Sequence, residues 1–264
     1  MISVVIVSWN VRDLLKKCLE SIFRYSKNID FEIIVVDNAS SDQTIEMIKQ
    51  DFSQVKVITN NKNLGFAKAN NQGIRQARGE YILLLNPDTE FIEDSLGKVM
   101  ERMRGCEGVS VLGCRLLNTD GTLQPSVRRF PRVRDVLIIL FKLHKLFPSL
   151  LDHYLAHDLK LTSSRPHVLT TPLQKVDQIM GAFFLVPSSV FKKVGLLDEK
   201  YFIWFEEVDF CRRVGQNGLK VIYWPGTSVV HHGAQSFAQQ MTWRKQWWFF
   251  KSSVRFFLKR QGRR

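Results

Sequence analysis

The chain predicts an α/β fold on a mostly parallel sheet, and three observations carry that prediction. Four short apolar runs, at residues 2–8, 31–36, 55–59 and 81–85, are rich in Val, Ile and Leu and read as buried strands. The stretches between them place apolar residues at helical spacing. Strand and helix alternate, which requires right-handed crossovers and a sheet covered on both faces. Roughly the first hundred residues therefore predict a Rossmann-like half.

The run Ile2–Ser8 opens the chain as a strand. Residues 11–24 carry Leu14, Leu15, Cys18, Leu19, Ile22 and Phe23 on one helical face. The second strand ends at Asp37. Ser40 or Ser41 is placed to cap a helix that ends near Gln50. After the third strand, residues 66–78 predict a helix closed by Gly79 as a C′ glycine. Tyr81–Leu85 then leads into Asn86-Pro87-Asp88, where Pro87 stops the ladder because it has no N–H.

Beyond residue 100 the pattern loosens. Residues 110–118 read as a strand and Asp120-Gly121 as a turn. An apolar patch at 136–141 is flanked by Arg132, Arg134, Lys142 and Lys145. Residues 179–186 return to strand character, and 198–214 read as a helix with its lead-in. Residues 219–224 and 227–231 read as two strands separated by Pro225-Gly226. The last segment, 237–264, sets Trp243, Trp247, Trp248, Phe249, Phe250, Phe256 and Phe257 among Lys and Arg residues, as in a basic amphipathic helix.

Composition narrows the function classes. A formal net charge of +13 favours an anionic partner: nucleic acid, anionic lipid or a phosphorylated substrate. Cys18, Cys106, Cys114 and Cys211 lack metal-like or CxxC spacing and read as reduced thiols of a cytoplasmic protein. The first residues read as a strand, not a signal peptide, and no window is apolar enough to predict a transmembrane helix.

Five segments could carry chemistry. Asp37 and Asn38 end a strand before a helix, where a carboxylate meets a ribose or base; the same residues also suit an Asx turn and helix cap. Residues 60–71 open a helix with several asparagines, Gly65 and two lysines, a setting for a diphosphate. GxGxxG and P-loop patterns are absent. Asp88 sits at a strand's carboxyl edge, where a metal or phosphate binds, or where it caps the next helix. Glu206, Glu207 and Asp209 lie among aromatics, which raises a carboxyl pKa toward that of a general base; a surface helix with an Asp209–Arg213 pair is the bland alternative. His231 ends a strand and could hold a metal, though most lone histidines do not.

Taken in order, these segments resemble the family 2 glycosyltransferases, most closely a rhamnosyltransferase-like branch. The matching words are VVIVSWN, EIIVVDNASSD, NNKNLGFAKANNQG, YILLLNPDTE, VDQIMGAFFLVP, DEKYFIWFEEVDFCRRV and VVHHGAQS. The resemblance implies a GT-A fold over residues 1–236, with a nucleotide-binding half (1–100) and an acceptor half (101–236) sharing one mixed sheet, and a helical tail (237–264). It implies an inverting transfer from a nucleotide-diphosphate sugar, with a divalent cation (Mg or Mn), to a glycan or lipid-linked acceptor. By position, Asp37 meets the base or ribose, with Asn10 and Asn38 beside it. Asn63, Gly65 and Asn70 line the nucleotide pocket, and Gly181 and Ala182 pass close to the donor sugar. Asp88 takes the last position of the D-x-D motif and binds the metal; Asn86 stands where the first Asp often sits. His231 completes the metal site, with His232 as the fallback by one register. Glu207 takes the base position as Glu rather than Asp, with Glu206 and Asp209 as alternatives.

A non-catalytic nucleic-acid-binding protein is the rival class. It predicts a basic surface without an acidic cleft, whereas Asp37, Asp88, Glu206 and Glu207 fall at edges expected to face one cleft, and no RNA- or DNA-binding motif appears. A nucleotidyltransferase would share the nucleotide half but need no carboxylate base. The basic aromatic tail either packs on the domain or docks on an anionic membrane surface, which a lipid-linked acceptor would make useful.

Overall fold

The computed structural model describes residues 1–105, 108–156, 172–233 and 242–259. Its first half builds the parallel sheet expected. Strands β1 (Ile2–Ser8), β2 (Phe31–Asp37), β3 (Lys56–Thr59) and β4 (Tyr81–Leu85) lie in the order 3-2-1-4, linked by helices α1 (Arg12–Tyr25), α2 (Thr44–Asp51) and α3 (Phe66–Gln76). Ser8 pairs with Asp37 and Ile6 with Leu85, so Asp37 and the Asn86-Pro87-Asp88 turn share the carboxyl edge. That edge is where open α/β sheets bind ligands.

The second half continues the same sheet. Strand β11 (Phe183–Pro187) runs antiparallel to β4 over all five residues, from Phe183 opposite Leu85 to Pro187 opposite Tyr81. Beyond it come β6 (Val109–Leu117), β12 (Lys220–His231) and β5 (Thr89–Phe91). The antiparallel pairing of β12 with β5 sets His231 opposite Thr89 and thereby beside Asp88. Helix α4 (Ser95–Arg104), capped by the Asp94 carboxylate on Gly97 N–H, covers one face with α1 and α2. Helices α3, α6 (Ser188–Val194) and α7 (Glu206–Gln216) cover the other. Strand β1 feeds both layers by its pleat, with Val4 and Ile6 to one side and Val5 to the other. Each fully buried aliphatic or aromatic side chain contributes about 1.5–3 kcal/mol, so these two layers dominate the favourable side of folding.

Four expectations change. Helix α2 starts at Thr44 because Ser40 and Ser41 are used elsewhere. Ser40 Oγ accepts from Asn10 N–H at 3.0 Å, Ser41 N–H donates to Asn10 Oδ1 at 2.8 Å, and Asp42 caps Thr44 instead. Gly79 does not close α3, which ends at Gln76. It is a close approach: a Cβ there would lie 2.5 Å from Ser3 N, and its N–H donates to Ser3 Oγ at 2.8 Å. Residues 219–231 form one strand, not two, because a register shift between Tyr223 and Ser228 absorbs Pro225-Gly226 as a bulge. Residues 179–186 are not one strand; β10 (Gln178–Ile179) pairs with β8 (Val127–Arg128), and the chain breaks at 180–182 before β11.

The apolar patch at 136–141 forms helix α5 (Val133–Leu140), and the tail forms α8 (Thr242–Leu258). Residues 234–241 and 260–264 of that tail lie outside the described residues, as does Cys106; Cys18, Cys114 and Cys211 are buried free thiols. Among the described residues no helix is long and apolar enough to cross a membrane.

Candidate active site

A cavity of about 370 Å³ opens at the carboxyl edge of the sheet. Asn38, Asn63, Gly65, Asn86, Asp88, Gly181, Ala182, Glu206, Glu207 and His231 all line it, drawn from both halves of the chain. Its side nearest β2 and α3 is shaped by asparagines. Asn38 Nδ2 donates to Gly65 O at 3.3 Å, its Oδ1 accepts from Asn60 Nδ2 at 3.0 Å, and Asn63 Oδ1 accepts from Gly65 N–H at 2.9 Å. Gly65 has φ +84° and ψ 171°, a region closed to side chains. A Cβ there would sit 2.5 Å from the Phe202 carbonyl oxygen, and Phe66 N–H donates to that same oxygen at 2.7 Å. The loop before α3 and the loop before α7 are therefore stitched backbone to backbone.

Three predicted residues stand behind this wall. Asp37 is fully buried; one carboxylate oxygen accepts from Ser40 N–H at 2.9 Å and the other has no partner. Asn10, at φ 52°, holds the Ser40–Ser41 loop. Asn70 returns its Nδ2 to Phe66 O at 3.0 Å, within its own helix.

At one end of the cavity Asp88 and His231 converge. Asp88 Oδ1 lies 3.3 Å from His231 Nε2, and both side chains are buried. His231 Nδ1 meets Gln124 Oε1 at 2.7 Å, and Asn86 Nδ2 meets His231 Nε2 at 3.2 Å. Because the Gln124 oxygen accepts, the ring proton belongs on Nδ1 and Nε2 presents its lone pair. Nε2 accepts from Asn86 Nδ2, and Asp88 Oδ1 lies 3.3 Å away, so a cation would take the place of the Asn86 donor between the two. The spacing is close to the about 3 Å separating neighbouring ligands of an octahedral Mg²⁺-like ion. Asp88 and His231 are thus the residues that would hold a divalent metal, with Gln124 fixing the tautomer. His232 is turned away, bonded to Glu90 Oε1 at 2.8 Å.

The other end holds the glutamate pair at the start of α7. Burial pushes the Glu206 carboxyl well above its usual range, and the neighbouring Glu207 charge adds to it. Burial raises Glu207 too, but backbone N–H groups at the helix start and the Arg128 guanidinium pull it back down. The two carboxyls hydrogen-bond each other, and Glu206 is the one pushed further above the ordinary range. One oxygen of each residue, Oε2, is buried without a partner. Gly181, in the break between β10 and β11, lies between Glu207 and Phe66; its Cβ would be 4.0 Å from each. Ala182 O accepts from Asn86 N–H at 3.1 Å, linking that break to the Asp88–His231 end.

Asp209 is not in the cavity. It is fully buried, held by Lys259 Nζ at 2.7 Å, Arg213 Nε at 2.9 Å and Arg212 Nη2 at 3.3 Å. It has the Arg213 pairing that the bland reading gave it, and its partners lock α7 to α8.

Two consecutive residues before the glutamates, Trp204 (φ 60°) and Phe205 (φ 71°), are left-handed. Bulky residues there cost on the order of 1–3 kcal/mol each. Helix α8 holds them. Trp204 meets Phe249 edge-on at 5.9 Å, Phe205 lies between Phe249 (5.5 Å) and Phe256 (5.4 Å), and Ser252 Oγ donates to Ile203 O at 2.8 Å. Sequence reasoning missed Gln124, Arg128 and this strained pair. Gln124 sits on a two-residue strand after the Asp120-Gly121 turn, with no motif around it, and backbone strain has no signature in non-glycine residues.

The family model described as Glycosyl transferase family 2 matches residues 3–166. The chain belongs to that family. Among its relatives, the N-acetylglucosaminyl-diphospho-decaprenol L-rhamnosyltransferase of Mycobacterium tuberculosis is 27% identical over 215 residues, covering 77% of this chain and 67% of that protein. The rhamnosyltransferase WbbL of Escherichia coli is 27% identical over 272 residues, covering 99% of this chain and 94% of WbbL. The chain is therefore a rhamnosyltransferase-like glycosyltransferase of family 2. Solved structures are similar in fold. S. aureus TarS superposes with a TM-score of 0.59 at 16% identity, over 89% of this chain but only 37% of TarS. The mannosyltransferase PcManGT of Pyrobaculum calidifontis, in complex with GDP-Man and Mn²⁺, gives 0.61 at 14% identity, over 96% of this chain and 64% of that one. These neighbours give the GT-A fold.

Proposed function

We propose that the chain moves a sugar, rhamnose by the likeness to its relatives, from a nucleotide-diphosphate donor to a hydroxyl of a lipid-linked or polysaccharide acceptor, with inversion and with a divalent cation. One observation carries this reading: a single cavity has a cation-seeking Asp88–His231 pair at one end and a proton-sharing Glu206–Glu207 pair at the other. Asn38, Asn63 and Gly65 border the nucleotide, and Asp37, buried behind them, shapes that wall by accepting from Ser40 N–H. Gly181 and Ala182 leave room for the donor sugar between the two ends. Glu207 removes the acceptor hydroxyl proton as that oxygen attacks the sugar carbon, and Glu206 holds Glu207 in place through its hydrogen bond. Attack on the face opposite the leaving group in one displacement inverts the anomeric centre. When bound, the cation offsets charge on the leaving diphosphate. The location that goes with this reading is cytoplasmic and peripheral to the membrane, in keeping with the buried free thiols.

The test pairs two variants across a panel of nucleotide sugars with Mg²⁺ or Mn²⁺. Glu207→Gln keeps donor binding and loses turnover by roughly 10²–10⁴-fold. Asp88→Asn loses the metal-dependent part of donor binding. Normal turnover in Glu207→Gln, or a product with retained anomeric configuration, overturns the reading.

A further inference from the structure

Helix α8 is apolar on two opposite faces. Phe249, Ser252 and Phe256 turn inward, onto the loop that leads into Glu206. Trp243 (60% exposed), Trp247 (56%), Phe250, Val254 and Phe257 form an outward stripe, each three or four residues after the last. Arg244 and Lys251 are exposed beside that stripe, and the described part of the helix carries no acidic residue. Helix α5 lies alongside, sharing an apolar cluster with α8 through Val136 and Leu140. The turns after it expose Phe141 (71%), Leu146 (74%) and Phe147 (59%), with Lys142 and Lys145 exposed between them. Exposed large aromatics and aliphatics flanked by basic groups, on two helices packed together, are what a soluble face avoids and a bilayer interface rewards.

We propose that the α5–α8 surface docks in the plane of an anionic membrane. The tryptophans and phenylalanines enter the headgroup boundary and the flanking Lys and Arg meet lipid phosphates. The charge pattern selects this occupant over a second copy of the chain, because two such basic faces repel. The same helix thus faces lipid on one side and braces the Trp204–Phe205 turn, a wall of the cavity, on the other. Docking sets the cavity mouth at the membrane surface, where a lipid-linked acceptor would present its hydroxyl. Docking itself is independent of the transfer reading and stands or falls on its own test.

The test is flotation of the full chain with vesicles of phosphatidylcholine alone or with phosphatidylglycerol. Binding is expected only to the anionic vesicles and weakens with added salt. W247S/F250S and R244E/K251E each lower the bound fraction at least tenfold, while donor binding by calorimetry is unchanged, since none of the four residues lines the cavity. Equal binding of these variants and the parent chain overturns the proposal. So does a stable dimer by sedimentation that W247S/F250S dissociates and that shows no vesicle binding. Loss of turnover with vesicle binding intact would count against the transfer reading alone.

Discussion

Replacing Gly65 by alanine tests the stitch between the two halves. The substitution carries two independent costs. The backbone at φ +84° and ψ 171° is strained for any residue with a Cβ, by about 1–3 kcal/mol. The new methyl would also lie 2.5 Å from the Phe202 carbonyl oxygen, a backbone atom that cannot swing aside like a side-chain tip. Moving it breaks the 2.7 Å bond from Phe66 N–H, worth about 1 kcal/mol, and overpacking adds about 1–3 kcal/mol. A loss of about 3–7 kcal/mol follows, read by urea unfolding of the full chain. Displacing the 202–205 loop also shifts Glu207, and an error of about 1 Å at a reacting group costs on the order of 10²-fold in turnover. Gly215→Ala is the internal control. It lies in α7 with open space where its Cβ would go, so it gains about 0.5–1 kcal/mol. If Gly65→Ala stays within 1 kcal/mol of the parent chain and keeps its turnover, the stitch carries no weight and the reasoning fails.

Three further outcomes are expected. Gln124→Leu removes the partner that fixes the His231 tautomer and weakens Mn²⁺ affinity roughly 10–100-fold, measured by calorimetry, with little change in folding. Arg128→Met removes the charge that draws Glu207 down. The base must be ionised to act, so the acid limb of the kcat–pH profile, already above the ordinary glutamate range, moves to still higher pH; an unmoved limb would detach Arg128 from the base. Asp198 is partly buried, yet Arg255 at 2.6 Å and Lys259 at 2.9 Å hold its carboxyl down to about 2. Its folded pKa lies below the unfolded value, so its contribution is complete above about pH 4 and fades as pH falls toward 2. That contribution is about 1–2 kcal/mol, screened by its partial exposure, and Asp198→Asn should flatten this part of the stability–pH curve.

The first hundred residues were legible because their signals are local. The apolar runs of β1, β2 and β4 and the helical spacing of α1 and α3 each fit within one element, and Asp37 and Asp88 followed as strand-end residues. The rest of the chain was legible mainly through its resemblance to a family. Its elements depend on long-range partners: β12 tolerates Pro225 only because β6 accepts a bulge there, and residues 180–182 leave the sheet to line a cavity formed by other segments. Gln124 and Arg128 were invisible for the same reason. Each earns its place by a neighbour more than fifty residues away, His231 for one and Glu207 for the other. Asp209 illustrates the converse. Its sequence neighbours suggested a base, but Lys259, at the far end of the chain, makes it a structural anchor.

The seam between β4 and β11 bears on how this protein could be re-engineered. Every residue of β4 is paired across it, so the first hundred residues are not an interchangeable cassette. Taken alone they would present Tyr81–Leu85 as a bare, apolar strand edge, the kind that recruits other chains. Hybrids that exchange donor preference between relatives would therefore keep β11 with the β4 it grew beside, even though a hundred residues separate them in the chain. A hybrid joined near residue 100 asks two foreign strands to zip along five positions. One that carries residues 183–187 along with the first hundred residues leaves that pairing untouched and moves the junction out to the α6 surface.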